Sequence, residues 1–247
     1  MGVSSKTSGP LGSIGNTHVV VIGGTSGIGR AVAEQAAAAG ARVTVASRNQ
    51  KRVDDTVALL GAPAQGRVVD LTDADSVRTF FESTGEIDHL ILPGNEVHIA
   101  PFRKLSISDA QASMASKFWG QYAAIKAARL SPAGSVVLFS GVASRKPGAG
   151  APALTAINAA VEGLGRALAV ELAPVRVNVI APGVVETELW AGLAEDAREA
   201  MLKSFTQRQP IARPGRPEEI ASVVLTMMAA TYMTGAVVDV DGGTLLV

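Results

Sequence analysis

His18-Val19-Val20-Val21-Ile22-Gly23-Gly24-Thr25-Ser26-Gly27-Ile28-Gly29 is the stretch that decides the fold. A run dominated by Val and Ile enters it, and Ala-rich sequence from Ala31 to Ala39 leaves it. This is the pattern of a buried strand, a tight glycine turn and the start of a helix. Without Cβ atoms, the glycines let the backbone turn sharply and come close to a ligand. The helix that follows presents unpaired N–H groups and a positive dipole end to the loop, which suits a pyrophosphate. The spacing is Gly-x-x-x-Gly-x-Gly, one residue longer than the common dinucleotide fingerprint. On its own the stretch fits either a dinucleotide site or a plain strand–helix corner, and the rest of the chain decides between them.

Outward from that turn, strand and helix signals alternate. Strands are predicted at Arg42 to Ser47, Arg67 to Asp70, Ile87 to Leu92, Ser135 to Ser140, Val175 to Ile180 and Val237 to Val240. Helices are predicted at Gln50 to Leu60, Asp73 to Ser83, Ser108 to Ala128, Pro152 to Leu172 and Pro217 to Met228. Thr72 is the expected N-cap of the second of these. Pro217, followed by Glu218 and Glu219, is a helix start. Glu186 to Arg213 reads as an irregular or helical excursion. Repeated βα units imply right-handed crossovers and one parallel sheet with ligands outside the carboxyl ends of its strands. The expected fold class is therefore α/β: a single-domain, Rossmann-type, doubly wound parallel sheet flanked by helices. The domain is expected over 17–247, preceded by a mobile Ser/Gly-rich tail over 1–16.

The whole-chain features agree with that class and exclude others. The chain has 247 residues, enough for one large α/β domain. Lys plus Arg and Asp plus Glu each number 22, and no block of one sign points to nucleic acid or an anionic membrane. There is no Cys, hence neither a disulfide framework nor a thiolate nucleophile. His18, His89 and His98 are too scattered for a metal site, so no metal is expected. No apolar run approaches the roughly 20 residues of a membrane span. Met1-Gly2 lacks the Ser or Thr at position 6 that myristoylation wants, where Lys6 stands instead. A cytoplasmic protein is the expectation. The Pro152 to Leu172 helix has few polar positions (Thr155, Asn158, Glu162, Arg166, Glu171), so it must be covered on more than one side. A second subunit is the expected cover, giving a homodimer or homotetramer.

From about Thr17 to Val247 these residues resemble the short-chain dehydrogenase/reductase (SDR) family. The glycine loop has that family's spacing, with Gly23 in place of its usual Thr. Asp70-Leu71 resembles the acidic adenine contact after the third strand. The Pro182-Gly183 segment, through Val185 to Thr187, resembles the one that meets the nicotinamide carboxamide. Gly215-Arg216-Pro217-Glu218-Glu219 and Asp241-Gly242-Gly243 resemble the C-terminal signatures. The resemblance implies cofactor contacts from Gly24, Ser26, Ile28, Ser47, Arg48, Asp70, Leu71, Gly94, Val185 and Thr187. An acid at the end of the second strand would accept from a ribose 2′-OH. Here the strand ends Ala46-Ser47-Arg48-Asn49, and a guanidinium with a hydroxyl favours a 2′-phosphate. NADP(H) is therefore the expected cofactor.

The resemblance fails at the chemistry. The family's Tyr-x-x-x-Lys pair falls on Leu154 and Asn158, and the chain's two tyrosines, Tyr122 and Tyr232, lie elsewhere. Family spacing puts the catalytic Ser on Gly141, next to Ser140. The Asn-Asn-Ala-Gly motif becomes Leu92-Pro93-Gly94-Asn95. The family's Asn-x-x-Gly reads Lys117-Phe118-Trp119-Gly120, so the Asn place holds Lys while the Lys place holds Asn. This reciprocal swap predicts that Lys117 supplies the cation beside the cofactor and Asn158 supports it, with Ser140 the third catalytic candidate. Lys117, Ser140, Glu96 and His98 are the candidate proton sources. Alternatively an iminium acceptor takes hydride with no donor, and Leu154 lines an apolar pocket. Leu189, Trp190, Leu193, Met201 and Phe205 would make the substrate side apolar. The expected activity is NADPH-dependent reduction of a small apolar carbonyl, imine or iminium. The alternatives are a non-redox enzyme using NADP(H) as a template, or a cofactor-sensing binding protein.

Overall fold

The structure is a computed structural model that describes residues 14–94, 96–188, 192 and 194–247. Asn95, Leu189, Trp190, Leu193 and residues 1–13 of the expected tail lie outside the described residues. The strands are β1 (His18–Ile22), β2 (Arg42–Ser47), β3 (Gln65–Val68), β4 (Glu86–Leu92), β5 (Arg129–Phe139), β6 (Arg176–Pro182) and β7 (Val237–Val240). The helices are α1 (Gly27–Ala38), α2 (Gln50–Leu60), α3 (Ala74–Thr84), α4 (Ile107–Met114), α5 (Gly120–Ala127), α6 (Pro152–Glu171), α7 (Glu195–Thr206) and α8 (Pro217–Ala229). All strands pair in parallel, in the order β3-β2-β1-β4-β5-β6-β7. The order reverses between β1 and β4, which opens a crevice at their carboxyl ends.

Alternation along β1 shows why the strands are apolar on both sides. Val19 and Val21 pack with Ala31, Val32 and Ala36 of α1 and with Ile220, Val224 and Met228 of α8. Val20 and Ile22 pack with Phe80 and Phe81 of α3, Ala124 and Ile125 of α5, and Val161 of α6. The buried Arg176 guanidinium closes the far end of α8, donating to the carbonyls of Met227, Met228, Ala230 and Met233.

At the crevice, β1 and β4 come together with no room for side chains. Gly23 has φ +93°, and a Cβ there would lie 2.3 Å from Gly94 Cα. Gly94 N–H donates to the Ile22 carbonyl at 3.0 Å. The Gly at position 23 is thus matched to Pro93-Gly94, since a Thr would collide with that backbone.

Several boundaries differ from expectation. Ile14, expected in the tail, is fully buried in the α1/α8 core. Thr72 does not cap α3, because its hydroxyl and N–H both donate to Asp70 Oδ1 (2.7 and 2.9 Å). Asp73 is the cap instead, accepting from Asp75 N–H. Strand β3 is placed two residues early, ending at Val68. The single helix expected from Ser108 to Ala128 is broken by a π-helical turn, Ala115–Trp119, between α4 and α5. Just after it, a Cβ on Gly120 would lie 2.9 Å from Leu71 Cβ, so the helix is pressed onto the loop after β3.

His89, 6% exposed, donates to or accepts from Ser135 Oγ at 2.8 Å. Burial, reinforced by the Arg176 charge, pushes its pKa down to about 4. The folded chain keeps His89 neutral while the unfolded chain protonates it near pH 6.5. Stability is therefore full above pH 6.5 and falls as pH drops towards 4, by on the order of 3 kcal/mol from this group. Thermal melts between pH 7 and pH 4.5 are expected to lose roughly 5–10 °C. His89→Leu is expected to remove part of that slope.

Candidate active site

The glycine turn delivers Ser26 and Gly27 to the crevice. Ser26 is the N-cap of α1, yet its side chain makes no capping bond. Gly27 has φ +48°, and a Cβ there would touch Thr187 Cγ2 at 3.2 Å. Thr187 is thereby set over the start of α1, and Val185 is fixed by a parallel bridge to Gly215. Gly27 N–H donates to Glu188 Oε2 at 2.8 Å, and Arg30 approaches the other oxygen of that carboxylate at 3.2 Å. The first turn of α1 thus already holds an anion, as its free N–H groups and dipole dictate.

The second end of the crevice lies between β2, β3 and β4. Ser47 ends β2, and its Oγ makes long bonds at 3.4 Å with Asn49 N–H and Asn49 O. The exposed Arg48 pairs with Glu96 at 2.7 Å. Thr72 holds the Asp70 carboxyl below the usual range through its two hydrogen bonds, and the Arg48 charge adds to this. Leu71 packs against Gly120, and Gly94 against Gly23. The ten sequence-predicted cofactor residues therefore fall on one rim of the sheet, at the end of β2, in the first turn of α1 and in the loops after β1, β2, β3, β4 and β6.

The third cluster centres on Ser140-Gly141. Lys117, in the π turn, is 5% exposed, and its Nζ donates to the Ser140 carbonyl at 3.3 Å. Burial pushes its pKa down to about 8. Asn158 of α6 is 2% exposed, and its Nδ2 donates to the adjacent Gly141 carbonyl at 3.4 Å. Ammonium and amide thus converge on consecutive carbonyls, those of Ser140 and Gly141. A Cβ on Gly141 would come to 3.0 Å from Asn158 Nδ2, so the missing Ser side chain leaves the space that Asn158 uses. The Ser140 hydroxyl is committed elsewhere: it lies 2.9 Å from Glu162 Oε1 and donates to it. Ser140 therefore meets Lys117 through its carbonyl, while its hydroxyl, one of the candidate proton sources, meets the Glu162 carboxylate.

Glu162 is the residue that sequence reasoning missed. It is 6% exposed, accepts from Ser140 and Ser144 hydroxyls, and lies 3.6 Å from Arg145, which pairs with Asp239 on β7. It pins the loop after β5 from the α6 side. Its place four residues after Asn158, on the same helix face, was the available signal. Among the described residues, Asn158 Oδ1 and both polar ends of Gln121, one turn past Lys117, are buried without hydrogen-bond partners. Of the other candidates, His98 is exposed and its backbone N–H donates to Ser113 Oγ. Phe205 is exposed and Met201 is half-buried on α7.

The arrangement matches known proteins. A family model described as Enoyl-(Acyl carrier protein) reductase matches residues 23–244. The chain is 33% identical to the short-chain dehydrogenase/reductase ucsE of Acremonium sp, over 92% of this chain and 95% of that one. The chain belongs to the short-chain dehydrogenase/reductase family. Members are nicotinamide-dependent oxidoreductases, and that is its activity class. A crystal structure of a small-chain dehydrogenase in complex with NADPH superposes with a TM-score of 0.80 at 35% identity, covering 94% of this chain and all of that one. The MalC Reductase/Diels-Alderase of Malbranchea aurantiaca gives 0.89 at 27% identity, covering 97% and 100%.

The residues fit a dinucleotide: the α1 N-terminus accepts a carboxylate, as it would a pyrophosphate. One consequence of the third cluster is thermodynamic. A buried Lys with a lowered pKa is charged at a cost below pH 8, and the cost vanishes as the unfolded chain also loses its proton near pH 10.5. Stability from this group rises across that window. Lys117→Met is expected to melt higher than wild type at pH 7, by on the order of 3 kcal/mol. The gap should close by pH 10.5 in thermal or denaturant unfolding.

Proposed function

We propose that this oxidoreductase uses NADPH to reduce the carbonyl or neutral imine group of a small, fairly apolar substrate, with the Lys117 ammonium standing in for the family's phenol. The observation that carries this reading is the buried Lys117 at Ser140, with its pKa lowered to about 8. An acid titrating that close to neutrality is matched to proton donation. At pH 7 its ammonium form dominates. The same charge disfavours an iminium acceptor, because a second cation in a desolvated site is repelled. The Ser140 carbonyl orients the ammonium, Asn158 and Glu162 fix the loop that carries that carbonyl, and Leu154 supplies hydrocarbon one turn before Asn158.

Gly24, Ser26 and Ile28 would hold the pyrophosphate, Ser47 and Arg48 the 2′-phosphate, and Asp70 and Leu71 the adenine. Gly94, Val185 and Thr187 would hold the nicotinamide half, which when bound supplies hydride. The absence of an acid at the end of β2 and the neighbour in complex with NADPH support the phosphorylated form. A second reading, non-redox conversion with the cofactor as a template, is favoured by Leu154 and by the neighbour described as a Reductase/Diels-Alderase.

The α6 face away from the sheet carries exposed Ala156, Ala159, Gly163, Ala167 and Val170, while Val161 and Ala169 are in the core. This small, apolar face fits self-association into a homodimer or homotetramer.

The test is transfer of deuterium from C4-deuterated NADPH to ketones, imines and iminium ions. Ketones and neutral imines are expected to be reduced stereospecifically, with kcat falling above about pH 8 as Lys117 deprotonates. Lys117→Met is expected to lose about 10²–10⁴-fold. Equal conversion of one substrate with NADP+ and NADPH selects the second reading, and no turnover on any panel rejects both. Separately, Ala159→Arg with Ala167→Arg is expected to shift sedimentation to a monomer. Unchanged sedimentation excludes α6 as the interface.

A further inference from the structure

NADPH carries its negative charge in two places, and at both the chain has a carboxylate of its own on the groups that would meet it. At the pyrophosphate place, Glu188 accepts from Gly27 N–H at 2.8 Å and lies 3.2 Å from Arg30, which it shares with Glu34 at 3.5 Å. At the 2′-phosphate place, Glu96 takes the Arg48 guanidinium at 2.7 Å. Glu96 is held there by its backbone N–H, which donates to Ser116 Oγ at 2.8 Å, next to Lys117. The two glutamates come from different loops, after β6 and after β4, and do not touch the same cation.

We propose that Glu188 and Glu96 are internal competitors of the cofactor: Glu188 sets overall dinucleotide affinity, and Glu96 sets discrimination between NADPH and NADH. The proposal rests on the NADPH reading above. All four side chains are open to water, with 44–61% of their surfaces exposed, so both pairs are weak enough to yield to a ligand. Each carboxylate offers one negative charge. A pyrophosphate offers two, and a 2′-phosphate close to two, so the cofactor wins each place against a cost. That cost is the lost pair plus the repulsion from a glutamate left near the phosphate.

The two sites leave different signatures because NADH shares the pyrophosphate and lacks the 2′-phosphate. Glu188→Gln keeps the size and an acceptor for Gly27 N–H while removing the charge. It is expected to tighten NADPH and NADH binding alike, by about three- to tenfold. Glu96→Gln frees Arg48. It is expected to tighten NADPH by about three- to tenfold and leave NADH unchanged, which raises the NADPH/NADH ratio by the same factor. Both gains should shrink as salt rises to about 0.5 M.

The readout is the Kd of each nucleotide by titration calorimetry on wild type, the two Gln variants and the two Ala variants. If wild type binds neither nucleotide, or prefers NADH both before and after Glu96→Gln, the NADPH reading itself fails. If wild type prefers NADPH but Glu188→Gln and Glu188→Ala leave both affinities unchanged or weaker, Glu188 is no competitor. If the Glu96 variants move NADPH and NADH together, or neither, Glu96 does not set the discrimination.

Discussion

The meeting of β1 and β4 at Gly23 and Gly94 is the constraint on which the rest depends. Strand order reverses there, so the two chains diverge above the sheet and leave a crevice. Their last backbone groups are hydrogen-bonded across the gap, and a Cβ on Gly23 would fall inside Gly94. That closeness aims the start of α1 at the crevice. It also places the loop after β4 within reach of Arg48 at the end of β2. Both charged seats follow from this one packing decision. A β-carbon on either glycine would push the strands apart and move both seats.

A second polar system lies beside the first and obeys different physics. Around Ser140-Gly141, Lys117, Asn158 and Glu162 are nearly dry and rely on backbone carbonyls and hydroxyls, with Arg145 also near Glu162. Among the described residues, Lys117 Nζ meets the Ser140 carbonyl and no carboxylate within ion-pair distance, and burial dominates its pKa. Around Arg48 and Arg30 the groups are wet, and ion pairs form and break at little cost. One polar system is therefore desolvated and closely packed, and the other is hydrated and open.

The sheet was legible because βα units carry strong local signals: apolar runs closed by Pro-Gly or Gly turns, and helix starts such as Pro217-Glu218-Glu219. Boundaries failed where a side chain made a choice that pattern does not encode. Thr72 bonded to Asp70 and left the cap to Asp73. Ile14, in a Ser/Gly-rich tail, went into the core because a single apolar residue can be buried without any periodicity to announce it. In the site, the exchange of Lys and Asn was readable from motif spacing, and both side chains do reach the loop after β5. The partner of the Ser140 hydroxyl was not legible, since the carboxylate it meets comes from Glu162, a residue that sequence alone placed among the helix's scattered polar positions. Glu188 was invisible for a related reason: its partner, Gly27, lies 161 residues away, and no local pattern links them.

The π turn at Ala115–Trp119 has a consequence for how such a site can change. A π turn spans i→i+5 where an α turn spans i→i+4. Trimming one residue from it would restore regular geometry with the flanking helices still in phase, because Ser113 and Gln121 would then stand about seven residues, or two turns, apart. The residues inside the turn would change bearing, and Lys117 is one of them. Such a deletion would therefore redirect the buried ammonium while leaving α4 and α5 seated on the sheet.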